Sequence, residues 1–124
     1  MSSTIVPAAG TNLSILVGVL SRDAELRDLP SGDQVLTLEL TVRAEGQPAE
    51  SVPVAWIGAP RAATTWSAGE ELLVVGRVRR RFFRAGGSTQ SRTEVVATTA
   101  VPTRRAATAS KAVRAALDAV PLRV

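Results

Sequence analysis

The 124-residue chain contains no cysteine, no histidine and no tyrosine, and its only aromatic residues are Trp56, Trp66, Phe82 and Phe83. Without thiols or imidazoles it has no disulfides, no thiolate nucleophile, no zinc site built on Cys or His, and no histidine-based catalytic triad. Long apolar runs are missing too, and the first twelve residues lack a basic segment. Neither a membrane span nor a signal peptide is therefore expected. A cysteine-free chain accords with the reducing cytoplasm. Lysine is almost absent as well: Lys111 stands alone, and arginine supplies every other cation.

What is present is arginine, unevenly spread. Residues 1–60 hold three arginines against seven acids, whereas residues 61–124 hold twelve cations against four acids. That asymmetry points to a polyanion-facing surface built from the second half. The length fits one domain with a modest core. Carboxylates exist, but Asp23, Glu25 and Asp28 cluster in a polar turn, and no phosphate-cradling glycine motif precedes a helix. No catalytic residue, cofactor or metal is expected.

Hydrophobic periodicity marks five strands. Leu13, Ile15, Val17 and Val19 alternate with Ser14, Leu16, Gly18 and Leu20, and Gly18 suggests a barrel corner. Residues 22–33 read as a polar connection closed by Pro30-Ser31-Gly32-Asp33. In residues 35–42, Leu36, Leu38, Leu40 and Val42 oppose Thr37, Glu39 and Thr41, the pattern of a half-buried strand. Val52, Val54 and Trp56 mark a third strand, with Trp56 in the core and Pro53 arguing for an unpaired edge. Residues 59–68 predict a short helix ended by Gly69, with Trp66 closing the barrel bottom. Residues 72–83 and 92–99 are the fourth and fifth strands, joined by a hairpin tip over residues 84–90. This order predicts an all-β protein, an OB-fold five-stranded Greek-key barrel with one short helix between strands three and four and a protruding hairpin; sandwich and SH3-like folds also fit the strand pattern, but neither predicts a helix there. The organisation is an arm at residues 1–11, the barrel at 12–102 and a basic, alanine-rich tail at 103–124. The tail, with Arg104, Arg105, Lys111 and Arg114, is solvated, a second electrostatic contact to DNA, or a helix docked on a partner through Ala106, Ala109, Val113, Ala116 and Val120.

The sequence of residues 77–84 is Arg-Val-Arg-Arg-Arg-Phe-Phe-Arg. On a strand, alternation puts Arg77, Arg79, Arg81 and Phe83 on one face, where cations grip phosphates and a ring stacks a base, a subunit contact being the equal alternative for Phe83. Arg84 and Arg92, flanking the hairpin tip, and Arg43, after the second strand, are further phosphate contacts. Phe82 faces the other way and is expected to pack beneath the hairpin or against another subunit. Arg22 and Arg27, among acids, are expected to pair locally. Leu73 and Val75 face away from Leu72 and Val74, which argues for oligomerisation to cover them. A charged edge strand that only prevents aggregation is the competing reading of the run.

Residues 12–27, Asn-Leu-Ser-Ile-Leu-Val-Gly-Val-Leu-Ser-Arg-Asp-Ala-Glu-Leu-Arg, resemble the opening of bacterial single-stranded DNA-binding proteins. Pro30, Gly32, Val35 and Gly69 sit at family-like spacings, as do Gly76-Arg77-Val78-Arg79 and Thr93-Glu94-Val95-Val96. The resemblance covers about residues 12–100. It implies sequence-independent binding of single-stranded DNA in replication, recombination or repair, assembly as a homodimer or homotetramer, no catalysis, and a cytoplasmic, nucleoid-associated setting. It also implies that Phe83 stands where the family usually carries tryptophan. Three departures are visible: the loop at residues 44–50 has no aromatic, the third strand opens Ser51-Val52-Pro53 with Ile57 in place of a phenylalanine, and residues 119–124 carry no acidic tip. RNA is a second ligand class that phosphate-led binding would accept. An OB-fold interaction module with little nucleic-acid binding is the competing function.

Overall fold

The computed structural model describes residues 10–121. Most of the expected N-terminal arm and the last three residues of the chain lie outside the described residues. The described chain forms β1 (Ser14–Leu20), β2 (Glu25–Asp28), β3 (Gln34–Val42), β4 (Glu50–Ile57), a 3-10 turn (Arg61–Thr65), β5 (Glu71–Ala85), β6 (Ser88–Pro102) and α1 (Ala106–Asp118). Among the described residues no helix is long and apolar enough to cross a membrane.

The sheet closes on itself. β1 pairs antiparallel with β5 from Ser14 opposite Gly76 to Val19 opposite Glu71, then turns onto β3 at Val19–Thr41 and Leu20–Leu40. β2 continues along β3, β3 pairs with β4, and β4 meets β6 in parallel at Val54–Val95 and Ala55–Val96. β6 returns along β5 and completes the circuit. β1 and β2 are thus two halves of one bent strand, and the five-stranded OB barrel expected from the pattern is present. β2 itself was expected to be loop. All four of its residues are exposed, so the strand is held by its pairing to β3 and leaves no apolar alternation to read.

Glycine permits the two tightest approaches. A Cβ on Gly18 would sit 2.8 Å from the Thr41 carbonyl oxygen, where β1 swings from β5 to β3. At Gly76 it would sit 2.2 Å from the Val96 carbonyl oxygen, beside the β-bulge that sharpens the twist of β5 against β6. Inside the barrel Leu20, Leu36, Leu38, Leu40, Val54, Leu72 and Val74 are fully buried, each contributing about 1.5–3 kcal/mol relative to exposure. Trp56 lies in this core. Trp66 packs against it from the end of the 3-10 turn, the two ring centroids 6.0 Å apart. Pro53 falls on β4 just before β6 joins, where among the described residues the strand has only β3 beside it and the missing N–H is not needed.

The tail is helical over α1, which packs on β5 and β6. Its half-buried stripe is Ala109, Ala112, Val113 and Ala116, continued just past the helix end by Val120; Ala106, expected in the stripe, is exposed at the first turn. The outward side chains of the barrel here, Leu73, Val75 and Val101, are only 3%, 6% and 7% exposed in the single chain. That corrects the argument for oligomerisation from an uncovered Leu73 and Val75: the chain's own helix lies against this part of the sheet.

Candidate nucleic-acid interface

β5 and β6 are each fifteen residues long, and beyond Gly76 and Val95 neither has another strand beside it among the described residues. They continue as a two-stranded ribbon to Ala85 opposite Ser88, closed by Gly86 and Gly87 at φ 60° and 81°. Two consecutive left-handed residues make the two-residue turn whose twist suits a hairpin. The tip expected over residues 84–90 is therefore shorter, because a Gly-Gly pair turns the chain without a longer loop. At the ribbon's base the Asn12 carboxamide donates to the Val78 carbonyl at 2.7 Å and accepts from the Val78 N–H at 2.9 Å. A side chain thereby extends the hold of β1 past its last paired residue.

Between the ribbon and the outer wall of the barrel lies a concavity of about 450 Å³. Arg79, Arg81, Arg92 and Glu94 line it from the ribbon, and Thr37, Glu39, Pro53, Ala55 and Ile57 from the barrel wall. Arg22 and Arg27 close its far side. Five arginines thus face two glutamates over a floor of aliphatic side chains. Glu94 is 6% exposed and is the one buried charged residue among the described residues. Such a carboxylate persists in a fold only when paired. Arg79 donates to its Oε2 through Nε at 3.1 Å and also through Nη2, while Arg81 Nε lies 3.5 Å from the same oxygen. Glu39, which accepts from Ser51 Oγ at 3.2 Å, is 3.9 Å from Arg92 Nη2. Glu94 on the ribbon and Glu39 on the barrel wall hold guanidiniums in place while leaving most of their donors to the groove.

The model of the single-strand binding protein family matches residues 11–102, most of the chain. The chain belongs to the single-strand binding protein family. A crystal structure of the wild-type single-stranded DNA binding protein from Thermus aquaticus is similar, with a TM-score of 0.61 at 28% identity over 74% of this chain. The match spans 40% of that chain's length. No curated protein matches this sequence.

Set on that family's fold, the residues read from sequence divide. Arg79, Arg81 and Arg92 come together in the groove. Arg77 and Phe83 share their face of β5 by alternation but are not in its lining; Arg77 is exposed, and Phe83 is half-buried with the Arg81 guanidinium 5.5 Å above its ring. Arg84 is at the tip, its Nη2 donating to the Gly87 carbonyl at 3.1 Å. Arg43 lies just past β3, outside the groove. Of the two placements expected for Phe82, packing beneath the hairpin is not what the chain does: the ring is 67% exposed in the single chain, which leaves the contact with another subunit untested. Arg27 pairs with Glu25 at 2.6 Å as expected, yet it and Arg22 also line the groove. Sequence reasoning missed both, because their neighbours in the chain are acids and only barrel closure carries them across to the basic ribbon.

Proposed function

We propose that this chain binds single-stranded DNA without sequence preference, in the groove between the β5–β6 ribbon and the barrel wall. The observation that carries the reading is the convergence of Arg22, Arg27, Arg79, Arg81 and Arg92, drawn from both halves of the chain, over an open aliphatic floor. Phosphates take the guanidinium donors, and bases lie against Pro53, Ala55 and Ile57, with Phe83 as the nearest ring on the same face of the ribbon. Replication, recombination or repair in the nucleoid-bearing cytoplasm is the setting the family supports. Assembly as a homodimer or homotetramer belongs to the same reading, and Val17 and Val19 leave an apolar outer face on β1 for it.

Charge dominates the binding. Base–aromatic stacking is worth about 1–3 kcal/mol per base, and the groove floor has no ring to provide it. The chain acts as a binding module, with no reaction assigned to it. Because guanidiniums meeting phosphates do not distinguish the sugars, oligo-rU binds within about tenfold of oligo-dT. The specific feature favouring a weak-binding interaction module instead is that same ring-free floor. Fluorescence anisotropy with oligo-dT and duplex DNA separates the readings. Preference for the single strand by tenfold or more, lost in Arg81→Ala/Arg92→Ala, is expected. Equal, feeble binding of both that the substitutions leave unchanged would favour the interaction module. This pair of substitutions leaves Arg79 on Glu94, so no buried carboxylate is stranded.

A further inference from the structure

The ribbon has a second face that the groove does not use. Alternation along β5 turns Val78, Arg80, Phe82 and Arg84 to the side opposite Arg79, Arg81 and Phe83. Beyond Val78, their cross-strand neighbours on β6 are Thr93, Ser91 and Thr89, a row of hydroxyls. Glu94 is the only carboxylate in residues 72–102, and it belongs to the groove face. Among the described residues neither Arg80 nor Arg84 is ion-paired, whereas Arg79, Arg81 and Arg92 each lie within reach of a glutamate. The back face thus holds the less neutralised pair of arginines on the ribbon.

It also holds the better-presented ring. Phe82 is 67% exposed, and Val78, at the base of the same face, is 45% exposed. Arg80 is fixed above this ring: its Nε and Nη2 donate to Ser91 Oγ at 3.3 and 3.1 Å, and its guanidinium carbon lies 5.9 Å from the ring centroid. Arg84 is steadied by the Gly87 carbonyl at the tip. An exposed aromatic between two oriented cations, with hydroxyl donors alongside and no carboxylate, is complementary to a polyanion carrying flat bases. A second copy of the same basic face would be repelled by it.

We propose that Arg80, Phe82 and Arg84 form a second contact for single-stranded polynucleotide, on the back of the ribbon. A strand leaving the groove crosses the ribbon and is held on both of its faces. Two strands lie only about 5 Å apart, so few nucleotides are needed to cross. The inference rests on the groove reading and adds to it the path of the strand.

Oligomer length separates the two contacts. An oligo-dT of about 6 nucleotides fills one face, and one of about 30 nucleotides reaches both. Phe82→Ala is expected to weaken the long oligomer about tenfold and to leave the short one unchanged within twofold. Arg80→Ala/Arg84→Ala reduces the salt slope for the long oligomer by about 1.4, the contribution of two phosphates. Thermal melting of the exposed-site variants, expected to match wild type, shows that the fold is retained. The proposal is overturned if Phe82→Ala weakens both lengths equally or neither, or if it lowers the particle mass in sedimentation, which would make Phe82 a subunit contact. The groove stands or falls separately, because Arg81→Ala/Arg92→Ala weakens short and long oligomers alike only if the groove binds.

Discussion

Glu94 sits at the groove wall with Arg79 and Arg81 both drawn to one of its oxygens. It aligns the two guanidiniums and at the same time competes with a phosphate for them. Glu94→Gln keeps the shape and removes the competing charge. Lost charge-assisted bonds lower stability by about 1 kcal/mol, since both arginines are partly exposed. A bound phosphate supplies the missing acceptor, so low-salt affinity for oligo-dT rises several-fold and the salt slope steepens by about 0.7. Denaturation and anisotropy on the same sample check that stability and affinity move in opposite directions. The sequence displayed the alternation that puts Arg79 and Arg81 on one face. It did not display Glu94 between them, because that depends on the β5–β6 register, which a bulge shifts by one residue at Val75/Gly76.

Among the elements, the β5–β6 hairpin has the strictest local demands. Gly76→Ala would drive a Cβ to 2.2 Å from a backbone oxygen that cannot rotate away. The expected cost is about 3 kcal/mol or more, read as a lower urea midpoint at unchanged m-value. α1 makes the opposite case, an element held by packing more than by its ends. No side chain caps its N-terminus, no acid lies in its first turn and no cation in its last. Deleting residues 106–124 removes a stripe of half-buried alanines and valines and uncovers Leu73, Val75 and Val101. Stability should fall by about 2–3 kcal/mol and sedimentation should report self-association. Strands with apolar alternation were legible to within a few residues. β2 was not, because pairing alone makes it a strand, and the helix was legible only as a stripe whose docking surface had to be built by residues 72–101 first.

At the scale of the whole molecule, the groove draws its cations from both halves of the sequence. Barrel closure brings Arg22 and Arg27 of the acidic half beside Arg79, Arg81 and Arg92 of the basic half. The asymmetry pointed to the ligand class and could not outline the site. Five arginines each meeting one phosphate would give a slope of log affinity against log salt of about −3.5, and the two glutamates among them reduce it toward about −2. The direct measurement is that slope for an oligo-dT of about 6 nucleotides, which fills the groove alone, taken by anisotropy on wild type and on Arg81→Ala/Arg92→Ala. A wild-type slope between about −2 and −3.5 that becomes shallower by about 1.4 in the variant is the expected result. Tight binding that ignores salt, or a slope the two substitutions leave untouched, would contradict a groove that works by charge.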